Sequence, residues 1–95
     1  MTIKRTRKEI ETWRRIHISV AAYAYEYLND SIMSDEEYDR MSRLIDTSIS
    51  TGNKQMDAFF KKEFEPDTGM WIRKHPDKEG LKRIYMIKKK YWEKK

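Results

Sequence analysis

Two Ser/Thr-x-x-Glu boxes constrain this chain most. Thr6-Arg-Lys-Glu9 and Ser34-Asp-Glu-Glu37 each stand before apolar residues spaced by three and four. In such a box the hydroxyl accepts from the third backbone N–H of a helix, and the glutamate reaches back. The first box therefore opens a helix from about Thr6 to Asn29, with Ile10, Trp13, His17, Val20, Ala24 and Tyr27 as its buried stripe. The second opens a helix from about Asp35 to Ser48 that buries Tyr38, Met41, Leu44 and Ile45. The link 29–33 is short enough to make the pair antiparallel neighbours. Asn53 caps a third helix with Met56, Phe59, Phe60 and Phe64 on its apolar face. A turn over Glu65–Gly69 and an extended stretch, 70–75, lead to a last helix at Pro76-Asp77. That helix carries Leu81, Ile84, Tyr85, Ile87, Tyr91 and Trp92. The fold expected is all-α: a single domain over 1–95, a small bundle of about four helices. Residues 6–48 form an N-terminal antiparallel hairpin, and 53–95 supply the C-terminal helices and a basic tail.

Composition narrows the function classes. At 95 residues the chain is too short for a large enclosed active site, which makes a larger protein partner plausible. Three Trp, six Tyr and three Phe are too many aromatics for a disordered chain. Cysteine is absent, which removes disulfides and thiolate metal sites and fits a reducing compartment, the cytoplasm. No apolar run is long enough to span a bilayer, so no membrane association is expected. His17 and His75 stand in no metal-binding pattern, and His17 reads as a hydrogen-bonded core residue. No nucleophile elbow or cysteine nucleophile exists, so no enzyme activity is expected.

The net charge of +5 is unevenly spread. Between Glu26 and Asp39 lie six carboxylates and no cation, an acidic notch in a basic shell. Tyr23, Tyr25 and Tyr27 alternate along the first helix, so they point in different directions and at least one misses the core. Tyr25 lies off the stripe on a face with Ile18, Ala21 and Ala22. Those small side chains either leave a shelf beside the ring or admit a neighbouring helix. Across the link, Asp35, Tyr38 and Asp39 share a face of the second helix. A tyrosine face with nearby carboxylates suits a flat cation, the ring contact alone contributing about 0.5–2 kcal/mol. Aspartates accept from ribose hydroxyls. Arg40, Arg43 and the helix start after Ser34 are candidates for a phosphate. Equally, Ser-Asp-Glu-Glu is an ordinary capped helix start, and Tyr38, Met41 and Ile45 an ordinary core stripe.

The run Tyr23-x-Tyr25-x9-Asp35-x-Glu37-Tyr38-Asp39 resembles, without a gap, the small N-terminal helical subdomain of bacterial NAD-dependent DNA ligases. The likeness covers about residues 15–45, and Arg40 and Arg43 continue it. In that family the subdomain grips the nicotinamide mononucleotide (NMN) half of NAD while a separate domain does the chemistry. The resemblance implies a cofactor site for NMN or NAD at Tyr25, Glu26, Asp35, Tyr38 and Asp39. Glu26 stands where the family usually has His, so the phosphate or ring contact made there is left open. The family's catalytic Lys-x-Asp-Gly motif is absent, which implies a non-catalytic module. Its size suits a phage or mobile-element accessory protein acting on a larger partner.

The alternative is a small basic protein that binds nucleic acid or an acidic protein surface and keeps the hairpin as scaffold. Lys82, Arg83, Lys88, Lys89, Lys90, Lys94 and Lys95 alternate with Tyr85, Tyr91 and Trp92, as in phosphate-tracking surfaces with stacking rings. Arg5, Arg7, Lys8, Arg14 and Arg15 form a second basic strip. The same mixture describes a solvated helix with Tyr85 and Trp92 in the core.

Overall fold

The computed structural model describes residues 6–66 and 68–93, with side chains as far as Lys89. Four helices form: α1 (Arg7–Leu28), α2 (Asp35–Leu44), α3 (Lys54–Glu63) and α4 (Lys78–Glu93), with a 3-10 turn at Met70–Lys74 and no strand among the described residues. It is a small all-α bundle. Both hydroxyls cap their helices, but only the first box is reciprocal: no bond from Ser34 N to the Glu37 side chain forms. The Thr6 hydroxyl accepts from Glu9 N at 3.1 Å while Glu9 Oε1 accepts from Thr6 N at 3.3 Å, and Ser34 Oγ accepts from Glu37 N at 3.1 Å. Asn29 closes α1 in the left-handed region, at φ 52°, which lets Asp30 N reach back to Ala24 O at 3.0 Å. Asn53 caps α3 and Asp77 caps α4.

Helix α1 is the organising element, packed against α2, α4 and the 3-10 turn. Contact on several sides buries Ile18 to Ala24 without a break, so a single stripe does not describe it. Trp13 and Tyr27 are 43% and 46% exposed. His17 is half-buried; its Nδ1 donates to Trp13 O at 2.9 Å and its ring lies against Trp13. The core joins Ile18, Val20 and Ala24 to Phe59, Phe60, Trp71, Ile72, Leu81 and Tyr85. Trp71 is ringed by Phe59, Phe60 and Phe64 at centroid distances of 5.1 to 5.9 Å. Truncating Phe60, 1% exposed, should cost about 3–5 kcal/mol.

At the N-terminal end of α1 the core is ionic. Arg15 and Glu11, both 0% exposed, are joined at 2.7 Å. Arg15 also donates to Asp57 Oδ1 at 2.8 Å and to the carbonyls of Asp46 and Ile49 at 2.8 and 2.9 Å, and its guanidinium lies 5.3 Å from the Phe60 centroid. Glu11 Oε2 accepts from Asp46 N at 3.1 Å. Arg15 is therefore a buried tie between α1, the loop after α2, and α3; it is not part of a basic strip. Arg5 lies outside the described residues.

Three further expectations need correction. Helix α2 stops at Leu44, because Asp46 turns the chain by accepting from Ser48 N and Oγ at 3.0 and 2.6 Å, a local bond that competes with helix. Leu44 is 49% exposed. The stretch 70–75 is not extended. Thr68 Oγ1 accepts from Met70 N at 3.1 Å and Ile72 N donates to Gly69 O at 3.2 Å, which winds it into the 3-10 turn. In α4, Ile87 is 70% exposed while Leu81 and Tyr85 are buried. The side chains of Tyr91 and Trp92 lie outside the described residues.

Candidate functional site

The hairpin is antiparallel. Arg14 reaches Leu44 O at 3.5 Å at one end, while the end of α1 faces the start of α2 at the other. At this second end lies an open cleft of about 300 Å³. Tyr25, Glu26, Asp35, Tyr38 and Asp39 all line it. The five residues singled out in the sequence thus share one cavity. Its floor comes from Ala21 and Ala22, the small residues that left a shelf beside Tyr25. Tyr25 is 67% exposed, one wall open to solvent.

The opposite wall was not legible in the sequence. Thr68, Gly69 and Met70 close the cleft from the chain's second half. Tyr38 anchors them: its hydroxyl donates to Thr68 O at 3.3 Å, the carbonyl that also accepts from Trp71 Nε1 at 2.8 Å. A Cβ on Gly69 would stand 3.4 Å from the Tyr38 oxygen, so this backbone passes close to the hydroxyl. Burial pushes the Tyr38 phenol up to about 12, against the pull of Trp71 and Ser42 and with help from the Asp39 charge. It is a neutral donor at any physiological pH.

The acidic groups are differently held. Asp35 and Asp39 are exposed, and among the described residues neither carboxylate makes an ion pair. Asp35 lies in the first turn of α2, where the helix dipole favours its charge. Glu26 is paired: Arg73, on the 3-10 turn, meets its Oε1 at 2.5 Å. Arg40 and Arg43 do not line the cleft. They border a shallower depression with Glu36, Leu44 and Asp39, so Asp39 alone belongs to both. Taken together, the cleft offers an aromatic wall, an anionic rim and acceptors for hydroxyls.

The basic face of α4 is partly consumed inside the molecule. Lys88 meets His17 Nε2. Burial lowers the pKa of both: for His17 burial outweighs the Trp13 carbonyl, with the Lys88 charge adding to the effect. Lys89 pairs with Asp30 at 3.3 Å and donates to the Tyr85 hydroxyl at 3.1 Å, with its side chain 45% exposed. The Tyr85 hydroxyl donates to Asp30 and holds that carboxyl below its usual range. Lys82 and Arg83 are exposed. The side chain of Lys90 and residues Lys94 and Lys95 lie outside those described.

No cluster of three or more His, Cys, Asp and Glu is arranged to hold a metal among the described residues. Likewise, no helix among them is long and apolar enough to cross a membrane. Comparison with models of known protein families, with curated proteins and with solved structures returned no match.

Proposed function

We propose that this chain is a non-catalytic module that binds NMN, alone or as the nicotinamide half of NAD, in the cleft at the α1–α2 connection. One observation carries the reading: Tyr25, Glu26, Asp35, Tyr38 and Asp39 converge on a single open cavity. An oxidised nicotinamide is a flat cation, which favours a tyrosine face and uncompensated carboxylates. Asp35 and Asp39 have acceptor capacity to spare for ribose hydroxyls. The volume of about 300 Å³ is at the lower end for small-molecule sites, roughly 300–1,000 Å³. It suits a mononucleotide, with any adenylate half left outside. A nucleic-acid surface on α4 draws less support, because Lys88 and Lys89 are engaged within the molecule.

Thermal denaturation with added NMN tests this. A ligand that binds only the folded state stabilises it by about 2.7 kcal/mol at a hundred times its Kd. The melting temperature should rise with NMN concentration in the parent protein and stay flat in Asp35→Asn/Asp39→Asn. A flat response in the parent at millimolar NMN refutes the proposal.

A further inference from the structure

The cleft is anionic, and a mononucleotide also brings a phosphate. Among the described residues no arginine lines the cavity itself: Arg40 and Arg43 border the neighbouring depression, whereas Arg73 is joined directly to the lining residue Glu26. The geometry points to Arg73 as the phosphate-binding residue, held in place by Glu26. This rests on the cleft being a nicotinamide-nucleotide site and adds to it a residue and a specificity that the resemblance does not supply.

Three observations meet here. First, Arg73 stands beside the cleft and outside its lining: the 3-10 turn that carries it begins at Met70, a lining residue, and its guanidinium meets the lining residue Glu26. Second, the guanidinium is anchored by one edge only. Arg73 Nε and Nη2 both approach Glu26 Oε1, at 2.6 and 2.5 Å. Its Nη1 has no hydrogen-bond partner among the described residues, and the side chain is 56% exposed. A planar fork fixed on one side presents its remaining N–H groups in a set direction, the arrangement that suits a phosphate oxygen pair. Third, Glu26 is itself a lining residue whose side chain is only 23% exposed. Its carboxylate therefore acts on the ligand through the cation it orients, neutralising an acidic position and supplying N–H donors there.

Nicotinamide riboside has the same ring and sugar without the phosphate, so it separates the two roles. Affinities of NMN and of the riboside are measured by titration calorimetry on the parent, Arg73→Ala, Arg73→Lys, Glu26→Gln and Arg40→Ala/Arg43→Ala. A charge-assisted bidentate contact makes NMN bind about tenfold to a hundredfold tighter than the riboside in the parent. Arg73→Ala should erase that preference while leaving riboside affinity unchanged; Arg73→Lys, a point charge without the fork, should restore part of it. Glu26→Gln should reduce it, and the double arginine variant should keep it. Arg73 is exposed at the rim, so its variants should melt within a few degrees of the parent. Equal loss of both ligands in Arg73→Ala would make Arg73 a structural strap and overturn the assignment. So would an intact preference in that variant, or its loss in Arg40→Ala/Arg43→Ala. If the parent binds neither compound, the nucleotide reading fails first and takes this assignment with it. If it binds both equally, only the assignment fails.

Discussion

The two ends of the α1–α2 hairpin are built from the same residue types and behave oppositely. At one end Arg15 and Glu11 are buried and bonded to each other, with half-buried Asp57 and the carbonyls of Asp46 and Ile49 taking up the rest of the guanidinium. At the other end Asp35 and Asp39 stay exposed with no ion pair among the described residues, and Tyr25 is mostly open. The first arrangement has almost nothing left to offer a ligand. Among the described residues, Glu11 Oε1 is its one charged-group atom buried without a partner. The second keeps the Asp35 and Asp39 carboxylates outside any ion pair among the described residues, beside a cavity. Buried polar groups that satisfy one another specify a fold, whereas polar groups that converge and remain unsatisfied specify a site.

That contrast can be broken most severely at the closed end. Arg15→Ala strands the Glu11 carboxylate in the interior, and losing one partner of a buried pair costs about 3–5 kcal/mol. Urea denaturation should show a large fall in midpoint or no folded protein. A loss below about 1 kcal/mol would mean that the pair is not buried in solution.

Tyr38→Phe tests the joint between hairpin and 3-10 turn. Losing its bond to Thr68 O should cost about 0.5–1.5 kcal/mol and loosen the far wall of the cleft. The pH dependence of the parent probes the same phenol. Its folded pKa is raised to about 12 from 10.0, so the stability it contributes is present below pH 10 and is lost as pH rises towards 12. His17 and His75 act in the opposite direction. Burial lowers both below 6.5, so the unfolded chain takes up protons first and stability declines as pH falls through about 6.5. A flat stability profile from pH 7 to 5 would contradict their burial.

The smallest effect on stability belongs to the open end. Asp35→Asn and Asp39→Asn remove exposed charges that make no ion pair among the described residues and should shift unfolding by no more than about 0.5 kcal/mol. A substantial loss from either would mean that these carboxylates hold the fold together.

Local chemistry made much of this legible. The caps at Thr6, Ser34 and Asn53, the helices they open, and the shared face of Asp35, Tyr38 and Asp39 follow from spacing within a few turns, while the five-residue cleft set came from the resemblance. What escaped depends on contacts made across the chain. Arg15 looked like one cation in a strip because its partner Asp57 lies 42 positions away. Trp13 and Tyr27 fitted a stripe that the many-sided packing of α1 made irrelevant. In the wall from Thr68 to Met70, the first two residues read only as part of a turn and Met70 as the start of an extended stretch, and nothing local shows which helix such a segment will meet. Lys88 and Lys89 looked like free cations until α4 brought them to His17 and Asp30.

The most direct test of the account is an amide chemical-shift map of the protein titrated with NMN. Perturbations are expected at Ala21 to Glu26, Ser31 to Asp39 and Thr68 to Met70, while the amides of Asp46, Ile49 and Thr51 beside Arg15 stay still. Shifts gathered at the Arg15 end, or none anywhere at millimolar NMN, would contradict it.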